Sequence, residues 1–346
     1  MEALMQLQPV RTNFLVPSVI NQVQSFEPEV LALTAPLLDK KKKPFIEANT
    51  NETTKFYLRN DCVVPVFSKD NEITISHSDF IETVWEAANT FYHGETIGTP
   101  EIRVSHVIKG RIPEATHKSV NQLLESDKTI YYERMMFCFE IPTICEDVAG
   151  NKLNLTIGGV RAYNHENLYS KKSVEKFKVF IGFKNLVCTN LCVSTDGYMS
   201  EVKVLNCQEL FNAVTMLFQQ YNPARHLHYM NAYKDSYLTE HQFAQFLGKS
   251  RLYQCLPPSK KKLLPEMLMT DTQINLVAKS YYCDKDFGIV SERQEISMWN
   301  VYNLLTGANK SSYIDNFLER SLNATQLTEG INKALYGDNN YKWFID

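Results

Sequence analysis

The apolar residues of this chain change their repeat once, near residue 206, and that change decides the fold class. Upstream the period is mainly two. Phe177, Val179, Ile181 and Phe183 alternate with Lys178, Phe180, Gly182 and Lys184, as in a strand with one face toward a core. Further strands are expected at 102–108, 135–141, 153–157 and 186–193, with a hairpin turn at Ala149-Gly150-Asn151 and a bulge at Gly158-Gly159. One helix interrupts them: Phe80, Ile81, Val84, Trp85, Ala88, Phe91 and Tyr92 follow a helical stripe, with Ser78 as the expected cap and Gly94 beyond the end.

Downstream the period is 3.6. Leu210, Phe211, Val214, Leu217 and Phe218 form one stripe, and Thr270 with Gln273 forms a capping box before Ile274 and Val277. Two more helical stripes are expected to end at Gly307 and Gly337. Strands followed by helices predict an α+β protein, a mostly antiparallel sheet region followed by a helical C-terminal region. Three segments result. Residues 1–44 carry Pro9, Pro17, Pro28 and Pro36 and close on four lysines before Pro44, which reads as a flexible or weakly structured segment with a short helix over 30–38. Residues 45–206 form the β-rich region with one helix, and 207–346 the helical region packed on it.

Charge limits the partners. The 36 Lys and Arg residues against 39 Asp and Glu give a formal charge of −3, which excludes a uniformly basic coat but not a local patch. No run approaches the roughly 18 apolar residues of a membrane span, and the N-terminal residues lack the basic and apolar regions of an export signal. The chain is therefore expected to be cytoplasmic, without a membrane partner, and its eight cysteines reduced.

Catalytic and metal motifs fail on spacing. Gly248-Lys249-Ser250 resembles the end of a phosphate loop, but Phe243 stands where the first glycine belongs and the preceding residues are helical. A helix end explains it better. Cys188 and Cys192 on one strand face would lie nearly 14 Å apart (~3.4 Å per residue), too far to share an ion. His226 and His228, with Asp235 or His241, are the remaining ligand set, weighed against two half-exposed imidazoles in a loop between helices. Asp284 and Asp286 form only an acidic doublet. The balance leans to a non-catalytic chain with no cofactor and no metal, the alternative being an enzyme whose site is assembled from scattered residues such as Cys188 or the histidines.

Two windows interleave cations with rings, the arrangement that holds single strands without reading sequence. Lys171, Lys172, Lys176, Lys178 and Lys184 surround one predicted hairpin, with Arg161 on another strand and Tyr163 and Tyr169 nearby. Lys249, Arg251, Lys260, Lys261 and Lys262 share a stretch with Tyr253 and no acid. The candidate nucleic-acid-binding residues are therefore Arg161, Lys171, Lys172, Lys176, Lys178, Lys184, Lys249 and Arg251, with Tyr163, Tyr169 and Tyr253 to stack on bases. Single-stranded DNA or RNA is the expected partner. The 18 Tyr and 19 Phe support the alternative, a protein partner or self-association.

Several segments carry a collinear resemblance over about residues 45–346: 80–85 (FIETVW), 101–106 (EIRVSH), 158–164 (GGVRAYN), 180–190 (FIGFKNLVCTN) and 299–306 (WNVYNLLT). On these the chain resembles a bacterial mobile-element family of unknown function and, more distantly, the phage/plasmid-like proteins. Lys184 and Asn185 stand where the broader group often has an Arg before the Cys. The resemblance implies an accessory role in DNA maintenance, transfer or host interaction, and hands no catalytic role to any residue. Asn185, Asn190, Asn300, Asn303 and Thr306, polar residues in apolar elements, are expected to satisfy backbone groups, with a buried network or the lining of a groove as the alternative.

Overall fold

The computed structural model describes residues 43–62, 74–115, 117–163, 174–289 and 294–346. The expected helix at 30–38, Ser68-Lys69-Asp70-Asn71, Tyr169, Lys171 and Lys172 lie outside them. Residues 43–346 belong to one compact unit.

Six strands form an antiparallel sheet in the order β1-β2-β5-β6-β7-β8: β1 (Asn51–Thr53), β2 (Glu101–Val104), β5 (Arg134–Val148), β6 (Asn151–Ala162), β7 (Glu175–Asn185) and β8 (Leu191–Val204). Strands β3 (Val107–Arg111) and β4 (Lys128–Tyr132) pair separately. The hairpin between β5 and β6 turns where it was expected, on Ala149 (φ 52°) and Gly150 (φ 77°). Gly158 and Gly159 mark no bulge, because both stay in register with Cys138 and Phe137 on one side and with Phe180 and Val179 on the other. The glycines answer to packing instead. A Cβ on Gly159 would lie 2.5 Å from the Phe80 ring, and one on Gly158 would lie 2.1 Å from the Phe137 carbonyl oxygen.

Both faces of the sheet are covered. Phe137, Phe139, Leu155, Ile157, Val179 and Ile181 face α2 (His77–Phe91) and α3 (Cys207–Gln220). Met136, Cys138, Val160, Phe180 and Val193 face Phe45, Ile46 and the start of α9 (Ile314–Leu335). The cap of α2 is Ser76 rather than Ser78, because Asp79 reaches back to the Ser76 N–H to complete a capping box. A short α1 (Lys55–Asn60) precedes it.

The remaining helices are α4 (Pro223–Ala232), α5 (Glu240–Cys255), α6 (Pro258–Lys261), α7 (Asp271–Cys283) and α8 (Met298–Asn309). Two helix–strand–helix units, α4-β9-α5 and α7-β10-α8, meet through β9 (Tyr237–Thr239) and β10 (Glu295–Ser297), where buried Leu238 sits opposite buried Ile296. Thr270 and Gln273 do form the capping box of α7, and Gly337 follows α9 at φ 102°. Gly248 and Gly307 lie inside α5 and α8 and do not end them. Gly248-Lys249-Ser250 is therefore mid-helix and cannot curl around a phosphate. Residues 186–190 form the turn between β7 and β8 rather than a strand.

Candidate polyanion-binding surface

Three cations of the sheet, Arg161, Lys178 and Lys184, are committed inward. Arg161, on β6, is fully buried. Its guanidinium pairs with the Glu175 carboxylate, donates to the Ile75 carbonyl, and lies 4.4 Å from the Tyr163 ring centre and 4.6 Å from that of Phe177. Glu175 in turn accepts from the Ile75 N–H at 2.9 Å. Lys184, also buried, lies 2.9 Å from Glu101 and 3.2 Å from Glu140. Asn154 donates to Glu140 at 2.8 Å. Lys178 donates to the Asp315 carbonyl at 2.6 Å and pairs with Glu319. Lys176, nearer solvent, pairs with Glu201 at 3.2 Å.

This corrects the assignment of Arg161, Lys178 and Lys184 to a phosphate-binding wall. Their strands are central and covered on both faces, so a cation there must find a carboxylate before the chain folds stably. Tyr163, 2% exposed, is core for the same reason and offers no face to a base.

The second window behaves differently. Lys249, on α5, lies 5.0 Å from the centre of the Trp343 ring, and Lys261 lies 5.4 Å from that of Tyr253. Phe344 joins the two rings, 5.0 Å from Trp343 and 6.3 Å from Tyr253. The result is an aromatic ledge with a lysine at each end. Lys260 and Lys262 are exposed and, among the described residues, form no ion pair. Arg251 meets Asp271 at 3.3 Å, both side chains 63% exposed, a geometry that holds the pair weakly. Tyr253 is 7% exposed and supports the ledge from beneath instead of stacking on a ligand. Trp343 is half-buried and presents the ring that Tyr253 cannot. Sequence reasoning missed it because it lies 80 or more residues from the lysines and only folding brings them together.

The other sequence candidates resolve into structure. His226 sits in α4, buried, with Nδ1 2.9 Å from the Tyr221 hydroxyl. It is not in a loop, and two residues further along a helix His228 points elsewhere. Burial lowers the His226 pKa to about 4. No group of three His, Cys, Asp or Glu residues suited to a metal ion occurs among the described residues. Burial raises the Cys188 thiol to about 11, far from a reactive thiolate.

The polar residues of the resembling segments meet in one clamp. Asn185 Nδ2 donates to Asn303 Oδ1 and to Asn151 Oδ1, both at 3.1 Å, and Asn190 donates to the Asn303 carbonyl at 3.0 Å. Lys310 donates to the Cys188 carbonyl and to Thr189 Oγ1, tying the β7–β8 turn to the end of α8. Thr306 returns its hydroxyl to the Tyr302 carbonyl, whereas Asn300 stands apart beside a cavity of about 340 Å³.

A family model described as "Domain of unknown function, B. Theta Gene description (DUF3871)" matches residues 28–345. The chain belongs to that family. Nothing in its description places DUF3871 among mobile-element or phage/plasmid-like proteins. No curated protein and no solved structure matches the chain. No described helix is long and apolar enough to cross a membrane.

Proposed function

We propose that this DUF3871 chain is a non-catalytic accessory protein of a bacterial mobile element that binds single-stranded nucleic acid on its C-terminal basic surface. One observation carries the binding assignment: Lys249 and Lys261 flank the Trp343-Phe344-Tyr253 ledge, and Lys260 and Lys262, next to Lys261 in the chain, are exposed and form no ion pair among the described residues. Cations beside an accessible ring suit a flexible phosphate chain whose bases stack without being read. The mobile-element role rests on the resemblance of the collinear segments to phage/plasmid-like proteins alone.

The test is fluorescence anisotropy with a labelled single-stranded oligonucleotide. Four phosphate contacts give a log–log salt slope of about −3, so a fourfold rise in salt weakens binding roughly 50-fold. Reversing Lys249, Lys260 and Lys262 to Glu abolishes binding, whereas Lys176→Glu leaves it unchanged. Equal binding by the triple variant, or none by the parent chain at low salt, overturns the assignment.

An acidic protein partner is the second reading, favoured by Leu252 (59% exposed) and Leu263 (84% exposed) among the same lysines. Apolar contact of this kind survives salt that removes a nucleic acid.

A further inference from the structure

Gly330 lies buried inside α9, where a glycine is less stable than an alanine. Its surroundings explain why it stands there. A Cβ on Gly330 would overlap Cγ, Cδ2 and Cε2 of the Tyr341 ring. Turning the ring about its own axis leaves Cγ in place, so no such rotation relieves the clash. The missing side chain makes a notch in the helix, and Tyr341 lies in it.

Tyr341 opens the segment that builds the aromatic ledge. Its ring centre lies 6.4 Å from that of Phe344, which is fully buried and stands edge-on to Phe246 of α5 at 6.2 Å. Trp343 packs on Phe344 at 5.0 Å and so comes within 5.0 Å of Lys249 Nζ. The polar groups of the segment bond to one another: the N–H groups of Phe344, Ile345 and Asp346 donate to the Tyr341 and Lys342 carbonyls, and Lys342 pairs with Asp346 at 3.6 Å. Among the described residues no hydrogen bond or ion pair ties 341–346 to α5 or α9. Apolar packing alone holds it, which is the mark of a unit that can open locally. We propose, resting on the single-strand reading of this surface, that Gly330 is its positioning residue: the notch seats Tyr341, the seated segment carries Trp343 to Lys249, and strand binding requires the segment docked. By linkage, a bound strand favours the docked segment as much as the docked segment favours the strand.

The experiment pairs single-strand anisotropy with amide hydrogen exchange on the full chain. Gly330→Ala keeps every cation and places the stronger helix former in α9. It is expected to lower affinity about tenfold, the share of one stacked base, at an unchanged salt slope. Tyr341→Ala, which leaves α9 untouched, gives a loss of the same order. Trp343→Ala also costs about tenfold, and Gly330→Ala with Trp343→Ala costs no more than either alone, because both remove the same ring from the strand. A substitution that merely loosened the fold would add its loss to that of Trp343→Ala. Without nucleic acid, the Phe344, Ile345 and Asp346 amides exchange faster in Gly330→Ala than in the parent, and a saturating oligonucleotide slows them in the parent. Parent-like affinity of Gly330→Ala, losses that add in the double variant, or unaltered exchange of the three amides overturns the proposal and leaves the single-strand reading standing. A parent chain that binds no single strand overturns that reading, and the positioning role falls with it.

Discussion

Lys184 on β7 and Lys260 at α6 carry the same charge into opposite surroundings. The first is 1% exposed and wedged between Glu101 and Glu140; the second faces solvent. The difference comes from the layers around them. Where a central strand is covered on both faces it has no outward side, so a cation there, such as Lys184, becomes part of the core and takes its counterion with it, whereas Lys176 near the other end of the same strand stays half-exposed. A helix at the rim keeps one side wet and can hold its charges for something else. Basic composition within a window is therefore weak evidence of a binding surface until the second face of the element is known.

The largest expected effect tests the buried half of this contrast. Arg161→Ala leaves Glu175 and the Ile75 carbonyl without their cation inside the protein. It is expected to cost about 3–5 kcal/mol in urea unfolding. Lys184→Ala, which strands Glu101 and Glu140, should fall in the same range. Stability losses below about 1 kcal/mol would mean these cations are not structural, and the contrast with the rim would collapse.

Next is the clamp behind the sheet. Asn303→Ala removes the acceptor of Asn185 and one of the ties across the β7–β8 turn, at an expected cost of about 2–3 kcal/mol. Asn303→Asp keeps the acceptor but buries a charge, and is expected to be no better. If Asn303→Ala unfolds at the parent's urea midpoint, the network does not hold α8 to the turn.

Acid sharpens the comparison further, because the buried half responds to it and the lysine rim does not. Burial, and then the Arg161 charge, lowers the His77 pKa to about 3; burial lowers that of His226 to about 4. In the unfolded chain both titrate near 6.5, so below that pH the unfolded state takes up protons that the folded state refuses. Each histidine then removes roughly 1.4 kcal/mol of stability per pH unit as pH falls from about 6.5 toward 5. Above that window neither contributes a pH dependence. Unfolding curves at stepped pH check this, and His226→Gln should roughly halve the slope. A flat profile across the window would place both imidazoles in water.

How much of this was legible beforehand follows the range of the signal. The switch from period two to period 3.6 located the sheet and the helices, because each repeat is a local property of a few consecutive residues. Alternation in 177–184 said that one face was apolar, but nothing nearby announced that α9, more than 130 residues on, would meet Lys178, or that Phe45, Glu101 and Glu140 would enclose Lys184. That is why Lys178 and Lys184 read as solvent-facing and are not. Gly158-Gly159 misled for a related reason: a glycine pair has the same appearance in a bulge as beneath the Phe80 and Phe180 rings. In the rim, the lysines of 249–262 were visible as a run, whereas Trp343 carried no mark of its own. Two of the five segments behind the family resemblance, 180–190 and 299–306, meet in the asparagine clamp, so these two describe how the protein holds together more than what it does.

The smallest effect is the most discriminating for the rim. Arg251 and Asp271 are each 63% exposed and 3.3 Å apart, so breaking the pair with Arg251→Gln should change stability by no more than about 0.5 kcal/mol. If Arg251 also contacts a phosphate, the same substitution should lower the magnitude of the salt slope for single-stranded binding by about 0.7, the share of one cation. Asp271→Asn frees Arg251 without removing it, and should leave the slope unchanged or steepen it slightly. The two variants separate a decorative ion pair from a shared one: equal slopes in both would confine phosphate contact to Lys249, Lys260, Lys261 and Lys262, and a change in stability beyond about 1 kcal/mol in either would show that the rim, too, depends on its charges for folding.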